Sequence, residues 1–220
     1  MQDTVSFFSG LTASDIWFLA EAALRTLAIS ALSISLGTLL GALFGWLLYE
    51  GRLLATLTLA PVLDVFRSVP LIIQLVLFYN MAPILGLRLD PFSSGTVVLT
   101  IYTAALVASV ARGGFEAVGQ PMRRAARSLG MTYWQDLRHV VLPIGGRAVF
   151  PSWIGVALGV MKDSALVSVL GYVELLKASQ ILITRTQQPF LVLAIAGAFY
   201  FALSYPVSRY AAKIEQRWAQ

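Results

Sequence analysis

The chain has 220 residues, of which 58% are hydrophobic and 12% are charged. Soluble domains carry about 25% charged residues, so this composition excludes an ordinary soluble domain. The chain has no cysteine and a single histidine, His139. This excludes disulfides and thiolate metal sites and leaves too little for a zinc or triad site. The net charge of +5 comes from basic residues between apolar runs, a pattern that favours the loops of a membrane protein over nucleic-acid binding.

The N-terminal stretch MQDTVSFFSG is acidic and has no basic n-region. The first apolar run is also too long for the core of a signal peptide. We therefore expect the first span to be retained in the protein, with residues 1–21 as an N-terminal segment before it, which the distribution of basic residues described below places on the outer side.

Five apolar segments are long enough to cross a bilayer, which takes about 20 residues in a helix. Three of them contain no charge and cover residues 26–49, 91–111 and 186–208. The other two, 53–80 and 148–173, carry charged residues in their middle. The pattern predicts an all-α, polytopic membrane helix bundle of about five transmembrane helices. We expect one domain over residues 22–212 and a cytoplasmic tail over residues 213–220.

Basic residues predict the orientation of these spans. With the N-terminus outside, the outer segments and span ends hold Arg25, Arg88, Lys177 and Arg185. The inner segments then hold a larger set: Arg52, Arg112, Arg123, Arg124, Arg127, Arg138, Arg147, Arg209, Lys213 and Arg217. Because cytoplasmic loops are enriched in Lys and Arg, we expect N-out, C-in, with a long cytoplasmic loop over residues 112–147.

This loop contains the most polar stretch of the chain, RRAARSLGMTYWQDLRHVVLP, at residues 123–143. Pro121 suits the first turn of a helix, since its φ is fixed near the helical value and its missing N–H is not needed there. Alanine and leucine then favour helix, and Gly130 is a natural stop. A short helix is therefore predicted, with Arg123, Arg124 and Arg127 on one face and Ala125, Ala126 and Leu129 largely off it.

A second short helix is predicted after the glycine. Thr132 precedes Gln135 by three residues, which is the spacing of a capping box. We expect this helix to end at Leu142, because Pro143 lacks the N–H that a continuing helix needs. The loop is thus predicted to hold two short helices, bent at a glycine and lying outside the bilayer.

Three interpretations of the loop remain open on its pattern alone. Its arginines can serve only to anchor the orientation of the protein, or its helix can rest on anionic lipid. Alternatively, the helix can dock in a groove of a partner protein. A small, alanine-lined face buries little area in lipid but fits a groove, so docking is favoured.

The loop resembles a known family motif, the EAA loop of bacterial ABC importer permeases. That motif reads E-A-A, three residues, G, nine residues, I, one residue, L-P, and it matches here at Arg124, Ala125, Ala126, Gly130, Val140, Leu142 and Pro143. Three more segments resemble the polar amino-acid subfamily, whose members carry histidine, glutamate, glutamine, arginine or opines. They are DVFRSVPLIIQLVLFY (64–79), VARGGFEAV (110–118) and MKDSALVSVLGYVELLKASQ (161–180).

The resemblance implies a type I importer transmembrane domain in the bacterial inner membrane. Such a chain is the permease subunit of an ATP-driven importer, here for a polar amino acid or a related zwitterion. The implied partners are a dimer of ABC ATPase subunits, a second permease subunit, a periplasmic or lipid-anchored amino-acid-binding protein, and membrane lipid. The helix at 121–130 would dock on the ATPase through Arg123, Arg124, Ala125, Ala126, Arg127, Leu129 and Gly130.

No cofactor is expected in this chain. It lacks the G-x-x-x-x-G-K-[ST] motif that cradles nucleotide phosphates, so ATP and Mg would be bound by the partner ATPase. Two residues depart from the family pattern. Arg124 reverses the charge of the usual Glu, and Ser109 stands where many relatives have an acidic residue. Both departures favour a heterodimer, with a sister subunit that carries the standard motif, over a homodimer.

Charged and polar residues within the spans are candidates for the substrate path, since such groups are costly at bilayer depth. Asp64 and Arg67 are three residues apart and either neutralise each other or leave Arg67 free to meet a substrate carboxylate. Gln74, about two turns beyond Arg67, could share that lining, and Ser109 is a further candidate.

Lys162 and Asp163 pose a similar choice. Neighbours in sequence point about 100° apart on a helix and cannot pair. Either each side chain finds its own partner or the helix breaks at this point, as helices do at transporter sites.

Gly37, Gly41 and Gly45 repeat at four-residue steps and predict close packing of the first span against another helix. The aromatic residues Trp46 and Tyr49 are interpreted as anchors at the membrane interface.

The main alternative function is a secondary transporter or channel driven by an ion gradient, without an ATPase partner. It would favour buried carboxylates and no docking helix. An intramembrane enzyme is disfavoured, since neither H-E-x-x-H nor G-x-S-x-G occurs.

Overall fold

The computed structural model describes residues 10–218, and within them no strand occurs. The chain forms nine α-helices in this range, with one π-helical and one 3₁₀ segment between them. The helices are α1 Ala13–Glu50, α2 Arg52–Ser68, α3 Leu71–Met81, α4 Pro91–Ala117, α5 Gln120–Ser128, α6 Tyr133–Asp136, α7 Leu142–Asp163, α8 Leu175–Thr186 and α9 Pro189–Trp218. The prediction of an all-α bundle is confirmed.

Four stretches of the described chain are long and apolar enough to cross a membrane. They are α1, α4, the stretch Tyr133–Leu170 that includes α7, and α9. A fifth span results if α2 and α3 are counted together, since they meet at an angle of 104°. Pro70 lies at this break, where it cannot donate a backbone hydrogen bond. The prediction of about five spans, with the second one broken, agrees with this arrangement.

The stripe of glycines in α1 packs against α4. A Cβ atom at Gly37 would come within 2.5 Å of the Cβ of Thr103, and one at Gly41 would come within 2.6 Å of the Cβ of Val107. At Gly45 it would lie 2.8 Å from a carbonyl oxygen of α4. Only glycine allows the two backbones to approach this closely, so the predicted packing role is confirmed.

The prediction that the helix after Thr132 ends at Leu142 is wrong. Helix α6 passes into a π-helical turn, Leu137–Val141, and then directly into α7. The N–H of Leu142 donates to the carbonyl of Leu137, five residues earlier. In a regular helix the ring of Pro143 would clash with the carbonyl four residues before it, and the wider turn accommodates the ring.

The adjacent charged residues Lys162 and Asp163 lie at the end of α7. The α-helix ends at Asp163 and continues as a 3₁₀ helix, Ser164–Leu170. Of the two alternatives left open by the sequence, the structure therefore shows the break in the α-helix.

Glu174 fixes the short helix α8 to the bundle. Its carboxylate is fully buried and accepts hydrogen bonds from the N–H groups of Leu176 (2.9 Å) and Lys177 (2.8 Å), which cap the helix. It also accepts from the hydroxyl of Tyr200 in α9, at 3.2 Å. Burial raises the pKa of Glu174 above its ordinary value, although these hydrogen bonds oppose the change.

Candidate functional site

The loop helix α5 ends in a Schellman motif. Gly130 has φ +83, in the left-handed region, and its N–H donates to the carbonyl of Arg127 at 3.0 Å. The N–H of Met131 donates to the carbonyl of Ala126 at 3.2 Å. These two bonds satisfy carbonyls that the helix end leaves free, and the expected stop at Gly130 is confirmed.

The capping box at Thr132 is also present. The N–H of Gln135 donates to the hydroxyl of Thr132 at 3.4 Å, and the N–H of Thr132 donates to the side-chain oxygen of Gln135 at 2.8 Å. Reciprocal bonds of this kind start α6 immediately after the turn. Two rigid turns therefore define the shape of the loop.

The faces of α5 differ from the expected arrangement. Arg124 and Arg127 are exposed, as are Met122, Ala125 and Leu129. The exposed fraction of Leu129 is 84%, unusually high for a leucine. By contrast, Arg123 and Ala126 lie three residues apart on the opposite side and are buried against the protein.

Arg123 is held by residues from two other helices. Its Nε donates to Oδ2 of Asp136 in α6, and one terminal nitrogen donates to the hydroxyl of Tyr49 in α1, both at 2.9 Å. Burial alone would lower the pKa of Arg123, but these hydrogen bonds outweigh it and raise the pKa above its ordinary value. Sequence reasoning missed Asp136, whose only signal was a carboxylate in an otherwise basic segment.

A polar cleft of about 340 Å³ lies between α2 and α4. Arg67 lines it and hydrogen-bonds both to Asp64 in its own helix and to the hydroxyl of Ser109 in α4. The structure thus brings three of the predicted path residues together. Two further charged residues, Arg112 and Glu116, also line the cleft and pair with each other at 2.8 Å.

Gln74 lies elsewhere and is not part of this lining. Its side-chain nitrogen donates to the carbonyls of Phe66 and Val69, both at 2.8 Å. The break before Pro70 leaves the last carbonyls of α2 without helical partners, and the Gln74 amide satisfies two of them. The residue therefore stabilises the bend between α2 and α3.

Lys162 and Asp163 lie apart from the cleft as well. Lys162 lines a groove of about 410 Å³ together with Tyr200 and Ser204 of α9. Asp163 is half-buried. Within residues 10–218, neither side chain makes a hydrogen bond or an ion pair. Among the same residues, no cluster of His, Cys, Asp and Glu could hold a metal ion.

The described residues form a bundle of apolar helices with a polar cleft and an exposed helix outside the candidate spans, an arrangement that suits a membrane subunit of a transport system. Residues 37–220 match the family described as "Binding-protein-dependent transport system inner membrane component", and the chain belongs to this family. The resemblance found in the sequence is thereby confirmed. The chain is a permease subunit of an ABC importer and not an enzyme.

Curated relatives of the chain are named as glutamine transport permeases. The chain is 35% identical over 145 residues to the probable glutamine ABC transporter permease protein GlnM of Bacillus subtilis, covering 66% of this chain and 67% of the relative. It is 28% identical over 210 residues to the glutamine transport system permease protein GlnP of Escherichia coli K12, covering 93% and 96%.

Two solved structures share the fold. The crystal structure of an amino acid ABC transporter with histidines aligns with a TM-score of 0.82 and 29% identity, covering 91% of this chain and 94% of the other. The methionine ABC transporter MetNI, in an inward-facing conformation, aligns with a TM-score of 0.79 and 22% identity, covering 94% and 99%. At that identity the second match shows the fold alone.

Proposed function

We propose that this chain forms the membrane path for a polar amino acid, with glutamine as the first candidate, and is driven by a separate ATPase that docks on α5. The exposed face of α5 is the observation that carries the proposal. Arg124 and Arg127 make no side-chain hydrogen bond or ion pair within residues 10–218, and Leu129 is almost fully exposed. A leucine next to unpaired cations, on a helix outside the spans, is suited to a groove on a partner protein.

The charge of this face defines the partner. Because Arg124 stands in place of the family's usual Glu, we propose that the ATPase groove carries carboxylates opposite Arg124 and Arg127. A sister permease with the standard motif would dock on the second ATPase subunit. The complex would then contain a heterodimer of permeases. The proposed orientation is N-out and C-in, in the bacterial inner membrane, with α5 on the cytoplasmic side.

The cleft between α2 and α4 is the proposed substrate path. Asp64 and Arg67 pair with each other in the cleft, and we propose that a zwitterion replaces this pairing with its own ammonium and carboxylate groups. The cleft volume of about 340 Å³ lies in the range of small-molecule sites. Lys162, in its groove beside α9, and Asp163 remain path candidates, because charges without a partner at bilayer depth are costly unless a cavity or another subunit meets them.

Co-purification tests the partner assignment. The solubilised chain is isolated from its native membrane and the recovered proteins are identified by mass spectrometry. We expect an ATPase with a Walker motif and a sister permease. Arg124→Glu should reduce recovery of the ATPase, whereas the matched charge reversal Arg88→Glu, in the exposed loop between α3 and α4, should leave recovery unchanged.

Uptake into proteoliposomes tests the energy source. Vesicles that contain the purified complex receive labelled glutamine and a cognate binding protein outside, with ATP inside. We expect uptake to require ATP and the ATPase subunit. Uptake by this chain alone, driven by an imposed ion gradient, would instead establish the secondary-transport alternative.

A further inference from the structure

Arg123 belongs to α5 but does not lie on the face that is free to dock. Its side chain is only 6% exposed, whereas Arg124 and Arg127 on the same helix are exposed. The residue therefore has a different task from its two neighbours. Its side chain contacts Asp136 in α6 and Tyr49 in α1.

These contacts join α5 to the last turn of α1. The Arg123 guanidinium donates to the hydroxyl of Tyr49 and lies 3.8 Å from a carboxylate oxygen of Glu50. It also lies over the ring of Tyr49, 5.6 Å from the ring centroid. Cation–π and hydrogen-bond contacts together fix both the position and the plane of the guanidinium.

The same turn of α1 also holds α6. Tyr133 donates its hydroxyl hydrogen to Glu50 at 2.9 Å and accepts a hydrogen bond from the indole N–H of Trp46, also at 2.9 Å. We call Trp46, Tyr49, Glu50, Arg123, Tyr133 and Asp136 the Arg123 cluster. Both loop helices are thereby attached to one point, the end of α1.

Burial makes this attachment stiff. Asp136 is fully buried, so the loss of Arg123 would leave its carboxylate without a compensating charge. From the cluster, α1 continues into the glycine stripe, where it packs in direct backbone contact on α4. Helix α4 in turn carries Ser109, which hydrogen-bonds to Arg67 in the cleft.

We propose that Arg123 is a positioning residue that transmits movement of the docked helix α5 to α1, and through the glycine stripe to α4 and the cleft. The proposal rests on the function proposed above, since it presupposes an ATPase that moves α5. Arg123 then transmits ATPase movement without contacting the ATPase.

The test compares assembled complexes in proteoliposomes, with amino acid transported per ATP hydrolysed as the readout. Arg123→Met combined with Asp136→Leu removes both buried charges, so no lone charge is left to unfold the loop. Tyr49→Phe is a milder variant that removes one bond between α5 and α1. Arg138→Met, an exposed arginine of the same loop, is the matched control.

We expect the double variant to assemble with the ATPase and hydrolyse ATP, while the transport ratio falls by about tenfold. Tyr49→Phe should lower the ratio to a smaller extent, and Arg138→Met should leave it unchanged. Thermal unfolding is measured in parallel. A merely structural role would lower the unfolding temperature without changing the transport ratio of assembled complexes.

Two results would overturn the proposal. An unchanged ratio in both the double variant and Tyr49→Phe would show that the cluster transmits nothing. Loss of ATPase binding by the folded double variant would show that Arg123 and Asp136 are needed for docking itself and not for transmission after docking. Failure of the unmodified chain to assemble with any ATPase would instead contradict the proposed function itself.

Discussion

Gly41 in α1 lies so close to Val107 in α4 that a Cβ atom on the glycine would come within 2.6 Å of the Cβ of Val107 and within 2.8 Å of the carbonyl oxygen of Ala104. A backbone oxygen cannot move aside as a flexible side chain can. The two helices would therefore have to separate to accept even one methyl group.

Gly41→Ala is expected to destabilise the protein by about 1–3 kcal/mol, the usual cost of overpacking a close contact. Thermal unfolding of the solubilised protein measures the effect, at about 2–4 °C for each kcal/mol. Gly197→Ala in α9 is the matched control, since a Cβ there meets nothing within 4 Å. An equal loss of stability in both variants would contradict the role of the stripe.

Gly130 is expected to tolerate asparagine better than valine. The residue has φ +83 but open space around its α-carbon, so the backbone conformation and not steric contact restricts the position. A β-branched residue is strained there, whereas asparagine adopts left-handed backbone more readily. Gly130→Val should reduce ATP-driven uptake by changing the direction of α5, and Gly130→Asn should retain most of it. Equal uptake by both variants would show that the turn does not direct docking.

Gln74→Leu is expected to weaken the bend between α2 and α3. The substitution keeps the size of the side chain but leaves the carbonyls of Phe66 and Val69 without the Gln74 amide, at a cost of about 1–3 kcal/mol. Thermal unfolding in lipid nanodiscs measures this cost. Asn80→Leu provides the comparison, because its amide bonds one carbonyl at an exposed position and its loss should have a smaller effect.

The burial of Glu174 predicts that the stability of the folded protein depends on pH. At pH values below its ordinary pKa, the carboxyl group is protonated in the folded and the unfolded chain alike. As the pH rises, the unfolded chain ionises first, because burial raises the pKa of Glu174 only in the folded state. Stability therefore falls as the pH increases through the folded-state pKa.

This prediction is tested by measuring the unfolding temperature of the solubilised protein between about pH 4 and pH 8. The range starts near the ordinary pKa of a carboxyl group. Glu174→Gln removes the titrating group and should flatten the decline. A decline of equal slope in the variant would assign the pH dependence to other groups.

Local sequence signals determined the membrane spans of this protein, the close packing of its first helix and the turns of the loop that holds α5 and α6. The apolar runs, the glycine stripe, the stop at Gly130 and the capping box at Thr132 each depend on residues within a turn or two of one another, or on the bilayer as solvent. These features can therefore be predicted without knowing which helices are neighbours in the fold. The EAA-like spacing is equally local, and it led to the family.

Tertiary structure decided which way the polar side chains point. Arg123 turns inward because Tyr49 and Asp136 meet it there, and Tyr49 lies 74 positions away in the chain. Gln74 bonds the carbonyls of a bend whose angle no local pattern specifies, and the helix continues past Pro143 because a π turn makes room for its ring. Such outcomes depend on which helices become neighbours, and helical periodicity alone assigns residues to a face without telling what that face contacts.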